Sequence, residues 1–178
     1  MDNEMLEKQA QRTYETICEM FDEMGFHYVA HDDDRVITCT IHGDDIPMEF
    51  TIFVFPKRQI VSFISNLPFT VPEELRPDMA MAVATANNGL MDGNFDFSID
   101  SGRIRYRQTE CYIDSILGKE MFRYMISVAA STVDDYNDKF LMMCKGYMTL
   151  SQFLEAEEEL SAGNSGAEAE EDSSEDDE

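Results

Sequence analysis

Apolar and polar residues alternate from Asn94 to Tyr112 along two segments that flank Ser101-Gly102, and this alternation predicts a β-hairpin. With a four-residue loop from Asp100 to Arg103, Ile99 faces Ile104 and Phe97 faces Tyr106 on a buried side. The other side then pairs Asp96 with Arg107, Ser98 with Arg105 and Asp100 with Arg103. A slip of one residue would set arginines opposite the aromatics, so the charge pattern and the apolar pattern favour the same facing.

The rest of the chain divides by period. Leu6, Ala10, Tyr14, Ile17 and Phe21 recur every three or four positions and predict a helix from about residue 3 to Met24, ended by Gly25. Val36 to His42 alternates as a strand with Ile37, Cys39 and Ile41 inward. Met48 to Phe55 closes with Ile52-Phe53-Val54-Phe55, apolar on both sides, which predicts an internal strand covered on both faces. Ile60 to Ser65 reads as a third strand, stopped by the prolines at 68, 72 and 77.

A helix capped by Asp78 follows, with Met79, Ala82, Val83, Ala86 and Leu90 inward. From Lys119 to Tyr147 the stripe Phe122, Ile126, Ala129, Val133, Tyr136, Phe140, Met143 and Tyr147 specifies the longest helix, and Thr149 to Leu160 suits a short one. The fold class is therefore α+β: an antiparallel sheet of about five strands, a three-strand meander plus a hairpin, with an N-terminal, a middle and a long C-terminal helix (α-βββ-α-ββ-α).

Composition changes this picture at the C-terminus. Residues 155–178 hold 12 of the 37 acids and no Lys or Arg, which sets a folded domain over 1–154 apart from an acidic tail over 155–178, expected to be disordered. The net charge is −24, and the body without that tail still carries −12. Such a surface repels phosphate, so no nucleic-acid partner is expected, whereas a basic partner is easy to accommodate. The absence of an apolar run of roughly 20 residues predicts no membrane contact. Four scattered cysteines and no secretory signal predict the cytoplasm.

Sequence motifs suggest no catalysis. His27 and His31 lie four apart, but in a strand they would stand about 13 Å apart, too far for one metal. Asp32 to Asp34 lacks the spacing and glycine of a calcium loop and reads as a solvated turn. No phosphate loop or nucleophile elbow occurs, and no enzyme, metal or cofactor is expected.

Two features suggest binding. Arg103, Arg105 and Arg107 form a basic stripe that either pairs with Asp96 and Asp100 or holds an acidic segment, in a partner or in the chain's own tail. On the long helix, Met121, Tyr124 and Val128, with Met142 further along, lie opposite the main stripe. That second stripe is covered by the N-terminal helix, by a second copy in a homodimer, or by a client that adaptable methionines would suit.

A helix ending in Met24-Gly25-Phe26, the meander, the passage from Asn88 to Gly93-Asn94-Phe95-Asp96-Phe97, the strand Gly102-Arg103-Ile104-Arg105-Tyr106 and a final helix bearing Asp134-Asp135-Tyr136 together resemble the YbjN-like domain family. The resemblance spans about residues 4 to 150; the Met-rich long helix and the acidic tail depart from it. It implies a fold similar to that of type III secretion chaperones, often paired as dimers, in a family labelled as sensory transduction regulators and without an established enzymatic activity. The function expected from residues and resemblance together is a non-catalytic protein-binding module, chaperone-like or adaptor-like, that holds a client segment or a second copy of itself. The alternatives are an acidic regulator that mimics nucleic acid or sequesters a basic protein, and an undetected enzyme.

Overall fold

The computed structural model describes residues 3–171, with side chains described through Leu160. In chain order the elements are α1 (Asn3–Met24), β1 (Tyr28–His31), β2 (Val36–Ile41), β3 (Met48–Phe55), β4 (Ile60–Thr70), α2 (Arg76–Gly89), β5 (Asn94–Ser98), β6 (Arg103–Cys111), α3 (Lys119–Cys144) and α4 (Leu150–Glu171). The strands form one antiparallel sheet in the order β1-β2-β3-β4-β6-β5. The α+β architecture is as the periodicity predicts, with six strands rather than five. The additional strand, Tyr28-Val29-Ala30-His31, is only four residues long and mostly exposed, so it carries no apolar alternation to read.

One sheet face is the core. Ile37, Ile52, Val54, Val61, Phe63, Ile104 and Tyr106 point into it, each at most 3% exposed. The stripes of α1, α2 and α3 close over them with Ile17, Phe21, Met79, Ala82, Val83, Phe122, Ile126, Ala129, Val133 and Phe140. At one end Phe95, Tyr106, Tyr136, Phe140 and Phe153 form an aromatic cluster, with ring centroids 5.3 Å apart for Phe95–Phe140 and 5.8 Å for Phe140–Phe153. Edge-to-face and offset stacking of this kind adds about 0.5–1.5 kcal/mol per pair beyond area burial.

The hairpin differs from its predicted register by two residues. Phe97 lies opposite Ile104 and Phe95 opposite Tyr106, while Asp96 lies opposite Arg105. The four-residue loop is Ile99 to Gly102, because Gly102 supplies a left-handed φ of +70° and the Gly102 amide reaches the Ser98 carbonyl at 2.7 Å. A shift of two keeps every side chain on its predicted face, so Phe97 still shares a face with Ile104 and Tyr106, but Ile99 is left in the loop and 56% exposed. The deeply buried ring is Phe95, and Phe97 is only half-buried.

Three further expectations are corrected. β3 is internal, as predicted, yet among the described residues it is covered on one face only, since no helix packs beyond Thr51, Phe53 and Phe55. β4 continues past Pro68 to Thr70: its register against β6 shifts between Asn66 and Thr70, and the proline sits in that irregularity, where no ladder donor is required. α2 starts at Arg76 with Pro77 in its first turn and Leu75 before it, so Asp78 lies inside the first turn instead of capping it.

α4 runs through the position where the body was expected to give way to an unstructured tail. Phe153 is fully buried, and Glu157 accepts hydrogen bonds from Tyr136 Oη at 2.6 Å and Lys139 Nζ at 3.0 Å. Residues 172–178 of the acidic segment lie outside the described residues. The sheet edge at β5 is also occupied: Asn87 of α2 accepts from the Phe95 amide at 2.7 Å and donates to the Phe95 carbonyl at 2.9 Å, pairing as a strand would and blunting that edge.

The register makes a direct prediction. Phe95→Ala will cost about 3–5 kcal/mol in denaturant unfolding, and Phe97→Ala less than half as much. Equal losses at the two positions would contradict the observed pairing.

Candidate functional site

Alternation in the strands defines a second sheet face that the helices leave open. Its centre is Val36 on β2, Phe53 and Phe55 on β3, and Ile60 and Ile64 on β4, which the register places as near neighbours. The Phe53 and Phe55 rings stack with centroids 5.7 Å apart. Within this patch Ser62 and Thr109 share a hydrogen bond of 3.0 Å between their hydroxyls, which satisfies the polar atoms the large side chains shield. Phe55 is exposed and Val36, Phe53, Ile60 and Ile64 are half-buried, so the five form a partly exposed apolar patch of the kind that suits an interaction surface.

The arginine stripe borders the same face. Ile64 lies directly opposite Arg107, and Asn66 opposite Arg105, so the basic strand β6 adjoins the apolar strand β4. Arg107 grips Asp96 with two hydrogen bonds, Nε to Oδ2 at 2.9 Å and Nη2 to Oδ1 at 3.0 Å, and Arg105 Nε reaches the same Oδ2 at 3.0 Å. Asn94 adds a bond to Oδ1 at 2.8 Å. Burial pushes the Asp96 carboxyl up, and the donors Arg107, Asn94 and Arg105 more than reverse that, holding its pKa below the ordinary value. The expected pairs are thus met for Asp96 with Arg107, joined by Arg105. Asp100 does not pair with Arg103; its carbonyl instead accepts from Arg76 Nη1 at 3.0 Å.

The candidates on the long helix are elsewhere. Met121 is half-buried against the core, Val128 and Met142 are half-buried, and Tyr124 is 50% exposed with its hydroxyl bonded to Asp92 Oδ2. α1 runs beside this end of α3, held by Lys119 to Glu19 at 2.9 Å and to Glu23 at 2.6 Å, and by Arg123 to Glu23. Met142 lies 21 residues beyond Met121, about 31 Å along the helix. The structure therefore separates the seven singled-out residues: the arginines border the open sheet face, and the four helix residues lie in the layer on the opposite side of the sheet. Sequence reading missed the open face because Phe53 and Phe55 look like core wherever a second layer is assumed.

The chemistry elsewhere is structural. Asp134 receives the Asp44 amide at 3.1 Å and ties the β2–β3 turn to α3, and Asp32 accepts from Tyr14 Oη at 2.8 Å. Desolvation raises the thiol pKa of Cys18 and Cys144 and pushes Cys39 to about 11, the reverse of what a nucleophilic thiol needs. His27 and His31 are both exposed, and among the described residues no group of three or more His, Cys, Asp or Glu side chains is placed to hold a metal. An open cleft of about 850 Å³ at the β1 edge, lined by Phe26, His27, Tyr28, Thr40 and His42, gathers no such group either.

The sequence profile of the YbjN family, described as "Putative bacterial sensory transduction regulator", matches residues 13–142. The chain belongs to the YbjN family. Among solved structures its fold is similar to that of YbjN from E. coli, with a TM-score of 0.51, 11% identity and coverage of 69% of this chain and 87% of that one. It is similar at the same TM-score to a chain in the ExsC–ExsE complex, with 12% identity and coverage of 70% and 90%. A chain in the HopA1–SchA chaperone–effector complex matches at 0.51, with 14% identity and coverage of 72% and 95%. No curated protein matches the chain. α4 begins beyond the matched YbjN region, and the motif residues inside it are structural: Phe95 and Tyr136 build the aromatic cluster, Asp134 holds a turn, and Asp96 organises the arginines.

The Asp96 cluster is testable by pH. Because the folded-state pKa is depressed, its contribution is present above the ordinary carboxylate pKa of about 4 and is lost as pH falls through the folded value. Asp96→Asn is expected to be less stable than wild type by about 1 kcal/mol at pH 7, with the gap closing below about pH 4. A gap independent of pH would show that the carboxylate's charge is not what stabilises the hairpin.

Proposed function

We propose that the chain is a non-catalytic protein-binding module, chaperone-like or adaptor-like, that holds a segment of a client protein against the open face of its sheet. The observation that carries this reading is the gathering of Val36, Phe53, Phe55, Ile60 and Ile64 on a face that no element covers among the described residues. Membership of the YbjN family supports it, as do fold neighbours taken from complexes, one of them described as chaperone with effector. Its four cysteines are unpaired, which suits action in a reducing cytoplasm. No helix of the described residues is long and apolar enough to cross a membrane.

A second reading draws on the net charge of −24: the chain sequesters a basic protein through its acidic surface. The two differ in salt response. Contacts between exposed charges are screened beyond about 8 Å at physiological ionic strength, whereas apolar burial is not.

The test is affinity capture from native extract with the full chain and with a Phe53→Thr/Ile64→Thr variant, which keeps strand-favouring residues on both central strands. We expect the variant to melt within a few degrees of wild type and to lose the client, and the wild-type complex to survive 0.5 M salt. A client retained by the variant but released by salt would support the acidic-surface reading instead.

A further inference from the structure

The chemistry of the client follows from what borders the open face, and it rests on that face being the binding surface. We infer that the face takes an acidic amphipathic helix, apolar on the side that meets β2 to β4 and carrying carboxylates on the flank that meets β6. The charge count is local. Arg105 and Arg107 share the single carboxylate of Asp96, and Arg103, exposed two residues before them on the same face, makes no ion pair among the described residues. Within β5 and β6 a chain of net charge −24 thus keeps a surplus of two positive charges beside the partly exposed apolar patch, reduced to one across the whole face by Glu49 at the far end of β3. At physiological salt the screening length is about 8 Å, so a segment bound over Phe53, Ile60 and Ile64 senses these guanidiniums more than the acids elsewhere on the chain. Arginine forks hold carboxylates in paired hydrogen bonds, and the Arg105 and Arg107 side chains remain 48% and 41% exposed despite their shared partner.

The width of the patch selects a helix. Strands lie about 4.8 Å apart, so the outer two of β2, β3 and β4 are separated by about 10 Å, close to the 10–12 Å diameter of a helix with its side chains. Arg107 stands directly across from Ile64, one strand beyond the apolar rows. A helix laid along the strands therefore presents its apolar stripe to Phe53, Ile60 and Ile64 while a flanking row of carboxylates reaches β6.

Fluorescence anisotropy with the full chain at 0.15 M salt tests this. The probes are two labelled 14-residue amphipathic peptides with Leu and Phe at spacings of three and four, one with Glu at the flanking positions and one with Lys. The Glu peptide is expected to bind at least tenfold more tightly than the Lys peptide. Arg105→Gln/Arg107→Gln should weaken the Glu peptide at least tenfold, and Asp96→Asn, which frees both guanidiniums, should tighten it. A Lys peptide that binds as well as the Glu peptide, with binding still lost in Phe53→Thr/Ile64→Thr, overturns the acidic client and leaves the open-face reading standing. Failure of both peptides, or binding unchanged in that Thr variant, overturns both. A wild type that sediments as a dimer and becomes monomeric with Ile64→Thr assigns the face to a second copy and overturns the client helix.

Discussion

A strand turns alternate side chains to opposite faces, and the described residues of this chain supply a helical layer for only one of them. Everything else follows from that asymmetry. The inward rows of β2 to β6 are sealed by α1, α2 and α3, so Ile37, Ile52, Val61 and Phe63 leave no measurable surface. The outward rows on β3 and β4 have no such cover among the described residues and yet carry Phe53, Phe55, Ile60 and Ile64 between Glu49, Thr51, Ser62 and Asn66, more apolar surface than a solvated sheet face ordinarily has. The same constraint explains why β3 reads as apolar on both sides although only Met48, Phe50, Ile52 and Val54 reach the core.

The edges of the sheet are treated differently from its open face. At β5 the Asn87 side chain occupies the backbone groups of Phe95, and α2 lies against the strand, so that edge has little left to offer another chain. At the opposite end β1 is short, and most of its residues are exposed. The family profile ends at residue 142, before α4, which adds Phe153 to the aromatic cluster and Glu157 to Tyr136 and Lys139. This chain therefore extends the shared domain by a helix docked through Phe153, with Leu150 and Leu154 beside it, and through the Glu157 carboxylate, on the helical side of the sheet.

Much of this was legible in the sequence where periodicity is long. Most of the inward stripes of α1, α2 and α3 was legible, because a 3.6-residue period repeats over several turns, but the α3 stripe was carried to Tyr147, which lies beyond the helix end at Cys144 and is 81% exposed, and the buried Met20 and Met125 were left out. Face was legible in the hairpin as well, but register was not: a shift of two residues leaves alternation intact, and only the position of Gly102 in the loop distinguishes the two pairings. β1 was lost because four mostly exposed residues hold no pattern. The open face was the larger omission, since local sequence cannot tell whether Phe53 meets a second layer of its own chain or none. Arg105 and Arg107 were recognised, and their grip on Asp96 was expected in part. That they border an apolar patch emerges only when β6 is placed beside β4.

The central claim is that binding occurs on the open face, and methyl NMR of the full chain with the captured client reads it most directly. Val36, Ile60 and Ile64 report the open face, Ile37, Ile52 and Val61 the sealed one, and Met121, Val128 and Met142 the helical layer. The account predicts shifts or broadening concentrated on Val36, Ile60 and Ile64. Perturbation confined to Met121, Val128 and Met142, with the open-face methyls unmoved, would contradict it.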